Sequence, residues 1–378
     1  MRVLAIFLQF LKLGFIAFGG PAAHIALMER ELVSRKGWLK PQDFLDYIGS
    51  VNLIPGPNST QLCMLVGYKL RGFWGMAAGG MGFVLPAALI TGIFAMIYIR
   101  MGHIPAVDSV FFGIKPAVIA IIIAALFKLG RKAIKTSWLG VLGLITLAAT
   151  LAGLNEITAI LGAGAAGMAF YALRSGFTGW KNTKSVAPFV LLQALGQGIA
   201  GYSSLKLFWI FFKIGAVLFG TGYVLVAYMD GELVEKAGWI TREQLLDAIA
   251  IGQFTPGPIL SAATFVGYLL EGWKGAALAT AGIFLPSFVF IMILYPIIPK
   301  LRKSQFTAAF LDAVNVGAVA VMLAVSITMT IEVAINWPAA AIMLLALLAV
   351  FGQKRFGSIW IIAAGALLGF ILGIIGLV

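Results

Sequence analysis

The stretch "NLIPGPNST" at residues 52–60 decides how this sequence is interpreted, because it interrupts a long apolar region with Pro-Gly-Pro. Proline has no N–H to donate within a helix and its ring clashes with the preceding turn, and glycine weakens what remains. The chain repeats the interruption at residues 253–261 as "QFTPGPILS". A helix break that occurs twice in the same form indicates a functional element rather than a local irregularity.

The two breaks belong to an internal repeat. Residues 28–57 read "MERELVSRKGWLKPQDFLDYIGSVNLIPGP", and residues 229–258 read "MDGELVEKAGWITREQLLDAIAIGQFTPGP", which aligns without a gap. After Pro-Gly-Pro one residue is lost, and "VGYKLRGFWG" then aligns with "VGYLLEGWKG". We therefore predict two homologous halves, residues 1–185 and 200–378, with a linker in the polar stretch "RSGFTGWKNTKS" (174–185).

The composition is that of a membrane protein. The chain is 61% hydrophobic and only 11% charged, and apolar runs long enough to cross a bilayer recur along its length. The excess of 27 Lys and Arg over 14 Asp and Glu indicates basic cytoplasmic loops rather than a nucleic-acid partner. One cysteine and two histidines exclude an internal disulfide and a cysteine- or histidine-rich metal cluster, so no cofactor is expected.

The apolar runs predict an all-α polytopic protein with five spans in each half. The predicted spans are 3–24, 74–99, 105–127, 137–153 and 157–173, then 205–228, 275–298, 307–331, 337–351 and 357–376. Between the first two spans of each half lie the Pro-Gly-Pro regions, 44–70 and 245–270. Each arm of these regions is shorter than the roughly 20 residues that a helix needs to cross hydrocarbon. Arms of that length favour a re-entrant helical hairpin.

Five crossings per half would insert the second half upside down, which makes the two repeats inverted. With loop 28–43 in the cytoplasm, this topology places nineteen of the 27 Lys and Arg residues inside and five outside. The positive-inside rule therefore favours inverted repeats with re-entrant hairpins. The alternative is two full crossings at each Pro-Gly-Pro, which gives six spans per half and a parallel repeat.

A helix resumes after each Pro-Gly-Pro, so its unpaired N–H groups would point from both tips towards the middle of the membrane, an arrangement suited to an anion. The neighbouring polar side chains are neutral hydrogen-bonding groups, which suit the oxygens of a tetrahedral oxyanion. The predicted substrate-binding residues at the tips are Asn52, Pro55, Gly56, Pro57, Asn58, Ser59, Thr60, Gln253, Thr255, Pro256, Gly257, Pro258 and Ser261. The alternative is that these groups only satisfy backbone groups freed by the prolines.

A second break follows the first span of each half, as "FGGP" (18–21) and "FGTG" (219–222). It adds Gly19, Gly20, Gly220 and Thr221 to the predicted binding residues, although close helix packing is an equal alternative. Lys12 and Lys213 lie within the first span of each half. A cation at that depth is costly and usually functional, so both are predicted to supply positive charge to the anion path. Snorkelling towards one interface is the alternative.

Seven carboxylates are candidates for coupling transport to protons, because partial burial raises the pKa of a carboxyl group towards the working range. They are Glu29, Glu31, Asp46, Asp230, Glu232, Asp247 and Asp312. The alternative for the acids that follow the first span of each half is a solvated connector.

The motifs "FGGP", "ERELVSRKGWL" and "NLIPGP", with "FGTGY", "DGELVEKAGWIT" and "IGQFTPGP" in the second half, resemble the chromate transporter family over nearly the whole chain. The resemblance implies a two-domain member that exports chromate across the bacterial inner membrane, with its halves in opposite orientation. Chromate and sulfate are nearly isosteric dianions, so sulfate remains an alternative or additional substrate. A homodimer stays open too.

The leading hypothesis is a secondary transporter that moves an oxyanion by alternating access around the two tips. No GxxxxGK[ST] segment is present, so ATP hydrolysis by this chain is excluded. An intramembrane enzyme of the lipid-phosphate type is one alternative, but it requires a nucleophile with a base or a cluster of acids that holds a metal. A passive anion channel is the other.

Overall fold

The computed structural model describes residues 2–18, 20–101, 105–175, 202–219, 222–295, 305–352 and 358–377. These residues form helices and short connections, with no strand among them. Five helices are long and apolar enough to span a membrane, namely Asn58–Met101, Val107–Ala133, Glu156–Arg174, Ile259–Ile293 and Gln305–Val333. The chain is therefore an all-helical, multi-pass membrane protein.

The two halves contain matching series of elements, with one additional 3₁₀ turn in the second half. The first half consists of α1 (Val3–Ile16), α2 (Pro21–Met28), a π-helical turn (Glu29–Arg35), α3 (Pro41–Val51), α4 (Asn58–Met101), α5 (Pro105–Ala133), α6 (Ser137–Leu151) and α7 (Glu156–Arg174). The second half consists of α8 (Ser204–Val217), α9 (Val224–Met229), a π-helical turn (Asp230–Lys236), α10 (Arg242–Phe254), a 3₁₀ turn (Ile259–Ser261), α11 (Ala262–Leu294), α12 (Gln305–Ala334), α13 (Trp337–Gly352) and α14 (Ser358–Ile374). Most of the predicted linker, from residue 176 onwards, lies outside the described residues.

Corresponding breaks in the two halves have the same backbone conformation. Ala17, which ends α1, has φ −82° and ψ 86°, and its counterpart Leu218 has φ −73° and ψ 86°. Both Pro-Gly-Pro glycines have positive φ, 122° at Gly56 and 99° at Gly257. The repeat seen in the sequence is thus a repeat of local geometry.

The helix that follows each Pro-Gly-Pro reverses direction after about a dozen residues. In α4 the reversal occupies Arg71 and Gly72, where Gly72 has φ 58° and ψ −145°, a conformation that is essentially restricted to glycine. Gly272 in α11 has nearly identical angles. The two arms of α4 pack so closely that a β-carbon on Gly67 would collide with the carbonyl of Gly75.

The two tips are each bonded to the opposite half. The Gly56 N–H donates to the carbonyl of Leu218 at 2.6 Å, and the Gly257 N–H donates to the carbonyl of Ala17 at 2.7 Å. Each tip therefore closes on the break that ends the first helix of the other half. Exchanging the halves therefore reproduces this pair of bonds.

The last three helices of each half interlock with the other half. Helix α5 packs against α13 and α14, and α12 packs against α6 and α7. Small residues permit the close approach: a β-carbon on Gly113 would meet the backbone of Gly365, and one on Gly167 would meet Ala313. This exchange builds one apolar core from both halves and brings the start of α14 next to the tips.

Candidate functional site

A cavity of about 420 Å³ lies where the two Pro-Gly-Pro tips (residues 55–57 and 256–258) meet the helix breaks that follow α1 and α8. Residues from both halves line it: Phe18, Gly20, Pro21, His24, Gly56, Pro57, Asn58, Ser59, Gly222, Tyr223, Gly252, Gln253, Thr255, Gly257, Pro258, Ile259, Leu260, Ser358, Ile359 and Trp360. The lining combines apolar and aromatic groups with a few hydrogen-bonding side chains, as is common for small-ligand sites. It is large enough for a small oxyanion together with water.

Among the described residues that line the cavity, none is Lys, Arg, Asp or Glu. The hydrogen-bonding groups are neutral hydroxyls, amides and one imidazole. Within the described lining, the groups that could stabilise an anion are therefore neutral donors, helix termini and that imidazole.

The imidazole is that of His24 on α2, whose relative exposure is only 1%. Its Nε2 lies 3.1 Å from the carbonyl of Ala17, and its Nδ1 lies 3.2 Å from Oγ of Ser59. The carbonyl of Ala17 also accepts the N–H of Gly257. His24 therefore joins the tip of the first half, through Ser59, to the tip of the second half, through Ala17.

Several buried polar atoms near the tips have no hydrogen-bond partner among the described residues. Nε2 of Gln253 is one, and Gln253 lines the cavity. Oγ1 of Thr60 and Oγ of Ser261 are two more, on the helical segments that follow the two tips. A buried donor without a partner is costly, and such atoms in a native site often await a ligand or water.

Asn58 is bonded back across the Pro-Gly-Pro break. Its side-chain amide donates to Oδ1 of Asn52 at 2.7 Å. Gln61 completes this support, because its Nε2 donates to the carbonyl of Pro55 at 2.6 Å. The polar residues of the first tip thus both hold the break in shape and present groups to the cavity.

Nine of the binding residues predicted from the sequence line the cavity: Gly20, Gly56, Pro57, Asn58, Ser59, Gln253, Thr255, Gly257 and Pro258. Asn52, Pro55, Thr60, Pro256 and Ser261 lie beside them in the chain but are not among the lining residues. Gly19, Gly220 and Thr221 lie outside the described residues.

Neither Lys12 nor Lys213 is among the residues that line the cavity. The ammonium of Lys213 lies 2.5 Å from Glu232, and that of Lys12 lies 3.6 Å from Glu31. A second cation completes each cluster, Arg35 at Glu31 and Lys236 at Glu232. The same cation–carboxylate–cation arrangement therefore occurs once in each half.

These clusters bear on proton coupling. Burial alone would raise the pKa of Glu31 and Glu232, but the neighbouring cations and their hydrogen bonds hold the pKa of both carboxyl groups below its ordinary value. Both groups lie in the π-helical turns that follow the first span of each half. They remain ionised near neutral pH, which disfavours them as sites for a coupling proton.

The other predicted carboxylates lie apart from the cavity lining. Asp230 is fully buried and paired with Arg242, Asp312 pairs with Lys135 at 2.6 Å, and Glu29 is exposed. Asp46 is partly exposed on α3.

Asp247 on α10 is contacted by side chains from two other helices, α4 and α5. Its Oδ2 accepts the hydroxyl of Tyr98 at 2.9 Å, and its Oδ1 lies 3.7 Å from the ammonium of Lys115, which also pairs with Glu243. Thr255, at the end of α10, is bonded to Thr91 on the same helix that carries Tyr98. The second tip is thereby fastened to α4 at two points.

Sequence reasoning missed four notable lining residues: His24, Tyr223, Ser358 and Trp360. A signal existed for His24, a lone histidine in an apolar helix just after the first break, opposite Leu225 at the equivalent position of the repeat. No signal existed for Ser358 and Trp360, because only the interlocking of the last helices brings α14 to the tips.

The sequence profile described as "Chromate transporter" matches residues 4–168 and again residues 205–370. A chromate transport protein of Cupriavidus metallidurans is 30% identical over 96% of this chain and 92% of its own length. A probable chromate transport protein of Synechococcus elongatus is 32% identical over 82% of this chain and 80% of its own, and a chromate transport protein of Pseudomonas aeruginosa is 31% identical over 85% and 80%. No solved structure matches the fold. The double profile match and these relatives show that the chain belongs to the chromate transporter family.

Proposed function

We propose that the protein is a secondary active transporter of tetrahedral oxyanions that exports chromate across the bacterial inner membrane and also accepts sulfate. The observation that carries the proposal is the cavity framed by both Pro-Gly-Pro tips and both breaks. The names of the relatives support chromate as the substrate. The neutral donors support an oxyanion in general, because they offer little to distinguish chromate from sulfate.

The mechanism we infer is alternating access between inverted repeats. The two tips enter as re-entrant hairpins from opposite faces and meet at the cavity. Each tip is bonded to the break of the other half, so a movement that releases Gly56 from Leu218 opens one side while the equivalent bond at Gly257 keeps the other closed. The charge distribution over the loops supports the inverted orientation.

Purified protein in liposomes tests the proposal. We expect an imposed ion gradient to drive the accumulation of chromate against its own concentration gradient. Excess sulfate should inhibit this chromate flux. Flux measured with and without a pH gradient at zero membrane potential separates coupled transport from a passive channel, because without a potential a channel can only dissipate a chromate gradient. Absence of chromate flux under every condition would contradict the proposal.

An enzyme of the lipid-phosphate type is not favoured by any feature of the site. The described lining residues contain no acid, and no group of three or more His, Cys, Asp or Glu side chains within the described residues is placed to hold a metal ion. The relatives are named as transport proteins.

A further inference from the structure

His24 is the group from which a further role can be derived. Two titratable side chains occur among the described lining residues, His24 and the phenol of Tyr223. Of the two, only the imidazole can become a cation by gaining a proton, because a phenol ionises to an anion. Among the described lining residues, one side chain is therefore able to gain a positive charge when an anion enters.

The contacts of His24 define where its proton lies. A carbonyl oxygen only accepts hydrogen bonds, so Nε2 must carry the hydrogen that is donated to Ala17. In the neutral imidazole Nδ1 is then an acceptor, and it takes the hydroxyl hydrogen of Ser59. In this state the hydroxyl of Ser59 is turned away from the cavity that it lines.

Protonation reverses the second of these bonds. An imidazolium donates from both nitrogens, so Nδ1–H would donate to Oγ of Ser59. The hydroxyl hydrogen of Ser59 is then free to turn into the cavity. A single proton thus adds one positive charge to the wall and one hydrogen-bond donor to the site.

The surroundings of His24 connect this proton to the anion. The ring centroid of Phe83 lies 5.5 Å from that of His24, with the two rings edge to face. The other residues of α2 are apolar. Glu29 and Glu31 follow in the next turn, and Glu31 is already paired with Lys12 and Arg35. Tyr223 is the titratable group from the other half. A buried imidazolium without a partner is unfavourable, and so is a desolvated dianion, so each favours the other.

We propose that His24 takes up a proton when a tetrahedral oxyanion enters the cavity, and that the imidazolium and the reoriented Ser59 hydroxyl then hold the anion. This inference rests on the proposed transport of an oxyanion through the same cavity. In each cycle the proton comes from water on the side where the anion binds, and it leaves when the anion leaves.

Direct observation of the imidazole tests the proposal. The chain has two histidines, so His103→Gln leaves His24 as the only one. This variant, labelled with ¹⁵N-histidine and reconstituted in liposomes at pH 8, is examined by solid-state NMR before and after chromate is added. We expect the nitrogen signals to move from those of a neutral imidazole to those of an imidazolium. Bound chromate beside a neutral imidazole would overturn the proposal.

Proton uptake provides a second measurement on the unmodified chain. In weakly buffered solution at pH 8, where chromate is the dianion, we expect about one proton to be taken up for each chromate bound. His24→Gln should bind chromate more weakly and take up none, whereas Tyr223→Phe, the matched control, should keep the uptake per bound anion. Uptake that persists in His24→Gln would show that a group other than His24, or chromate itself, takes the proton, and would overturn the proposal.

The two proposals fail in different ways. A wild-type protein that neither binds nor transports chromate contradicts the proposed function. A protein that transports chromate while His24 stays neutral contradicts only the role of His24.

Discussion

At the scale of single residues, the glycine of each tip is required both for its backbone conformation and for its surroundings. Gly257 has φ 99°, and a β-carbon there would lie 2.9 Å from Cβ of Ala87. At Gly56 a β-carbon would collide with Gln61 and Ser287. The tips therefore fit against the second membrane helix of the opposite half with no space for a side chain.

Gly257→Ala tests this fit, with Gly153→Ala as its control. Gly153 has a similar φ of 94°, but a β-carbon there meets no atom within 4 Å. Both substitutions should cost about 1 to 2 kcal/mol of stability through backbone strain. We expect only Gly257→Ala to abolish chromate flux in liposomes, because it displaces the tip. Equal flux in the two variants would show that the close fit is not needed for transport.

Gln253 provides a test of the cavity itself. Its side-chain N–H groups lack a partner among the described residues, so a bound oxyanion is expected to accept from them. Gln253→Leu should lose a hydrogen bond to a charged group, worth about 1.5 to 3 kcal/mol, or roughly a ten- to hundredfold weaker affinity. Gln253→Glu keeps the shape but adds a negative charge and should bind more weakly still. Calorimetry measures the chromate affinity of both variants. Unchanged affinity in both would show that Gln253 does not contact the bound anion.

At the scale of elements, the positions of the helix breaks were predictable from the sequence, whereas the contacts that form around them were not. Pro-Gly-Pro and Phe-Gly identify where helices stop, because proline and glycine act on the backbone locally. The sequence also predicted that Lys12 and Lys213 are functional cations, but the structure pairs each with a glutamate nineteen residues later in the chain. That pairing depends on how α2 and α9 turn back after the break, which is a property of tertiary packing.

The paired clusters predict unequal effects in the two halves. The side chain of Lys213 is 21% exposed, whereas that of Lys12 is 52% exposed. Lys213→Gln should therefore lower the free energy of unfolding by about 1 to 3 kcal/mol, and Lys12→Gln by less than about 1 kcal/mol. Thermal unfolding in detergent measures both.

The double variant Lys213→Gln/Glu232→Gln is the control for these substitutions. Removing both charges should recover part of the lost stability, because the buried carboxylate of Glu232 is then no longer present without its nearest cation. A loss of flux in Lys12→Gln at unchanged stability would instead favour the role in the anion path that the sequence predicts.

At the scale of the whole molecule, the two halves form one unit through exchanged contacts. The sequence predicted the repeat, its offset and nine residues of the cavity, because repetition is visible along the chain. It did not predict that each tip bonds to the break of the other half, or that α14 reaches the cavity. Those contacts arise from the association of distant segments, for which one sequence contains no signal.

Cysteine labelling tests the inverted orientation of the halves. Lys36 and Lys236 occupy exposed positions at the ends of the two π-helical turns, and Cys63 is the only native cysteine. In a Cys63→Ser background, Lys36→Cys and Lys236→Cys should react with a membrane-impermeant maleimide from opposite faces of right-side-out vesicles. Labelling of both positions from the same face would contradict inverted repeats and favour six crossings per half.

The repeat is not symmetric at His24, whose counterpart is Leu225, and under the proposed mechanism this difference determines the net charge that is transported. If the one imidazole takes up one proton for each dianion, as proposed, a net charge of −1 crosses the membrane with each chromate. A potential that is negative inside then drives the loaded state outwards, at about 2.3 kcal/mol per 100 mV. At equal pH on the two sides, that energy supports a chromate gradient on the order of fiftyfold. A second histidine at Leu225 would make the loaded state neutral and remove this electrical drive.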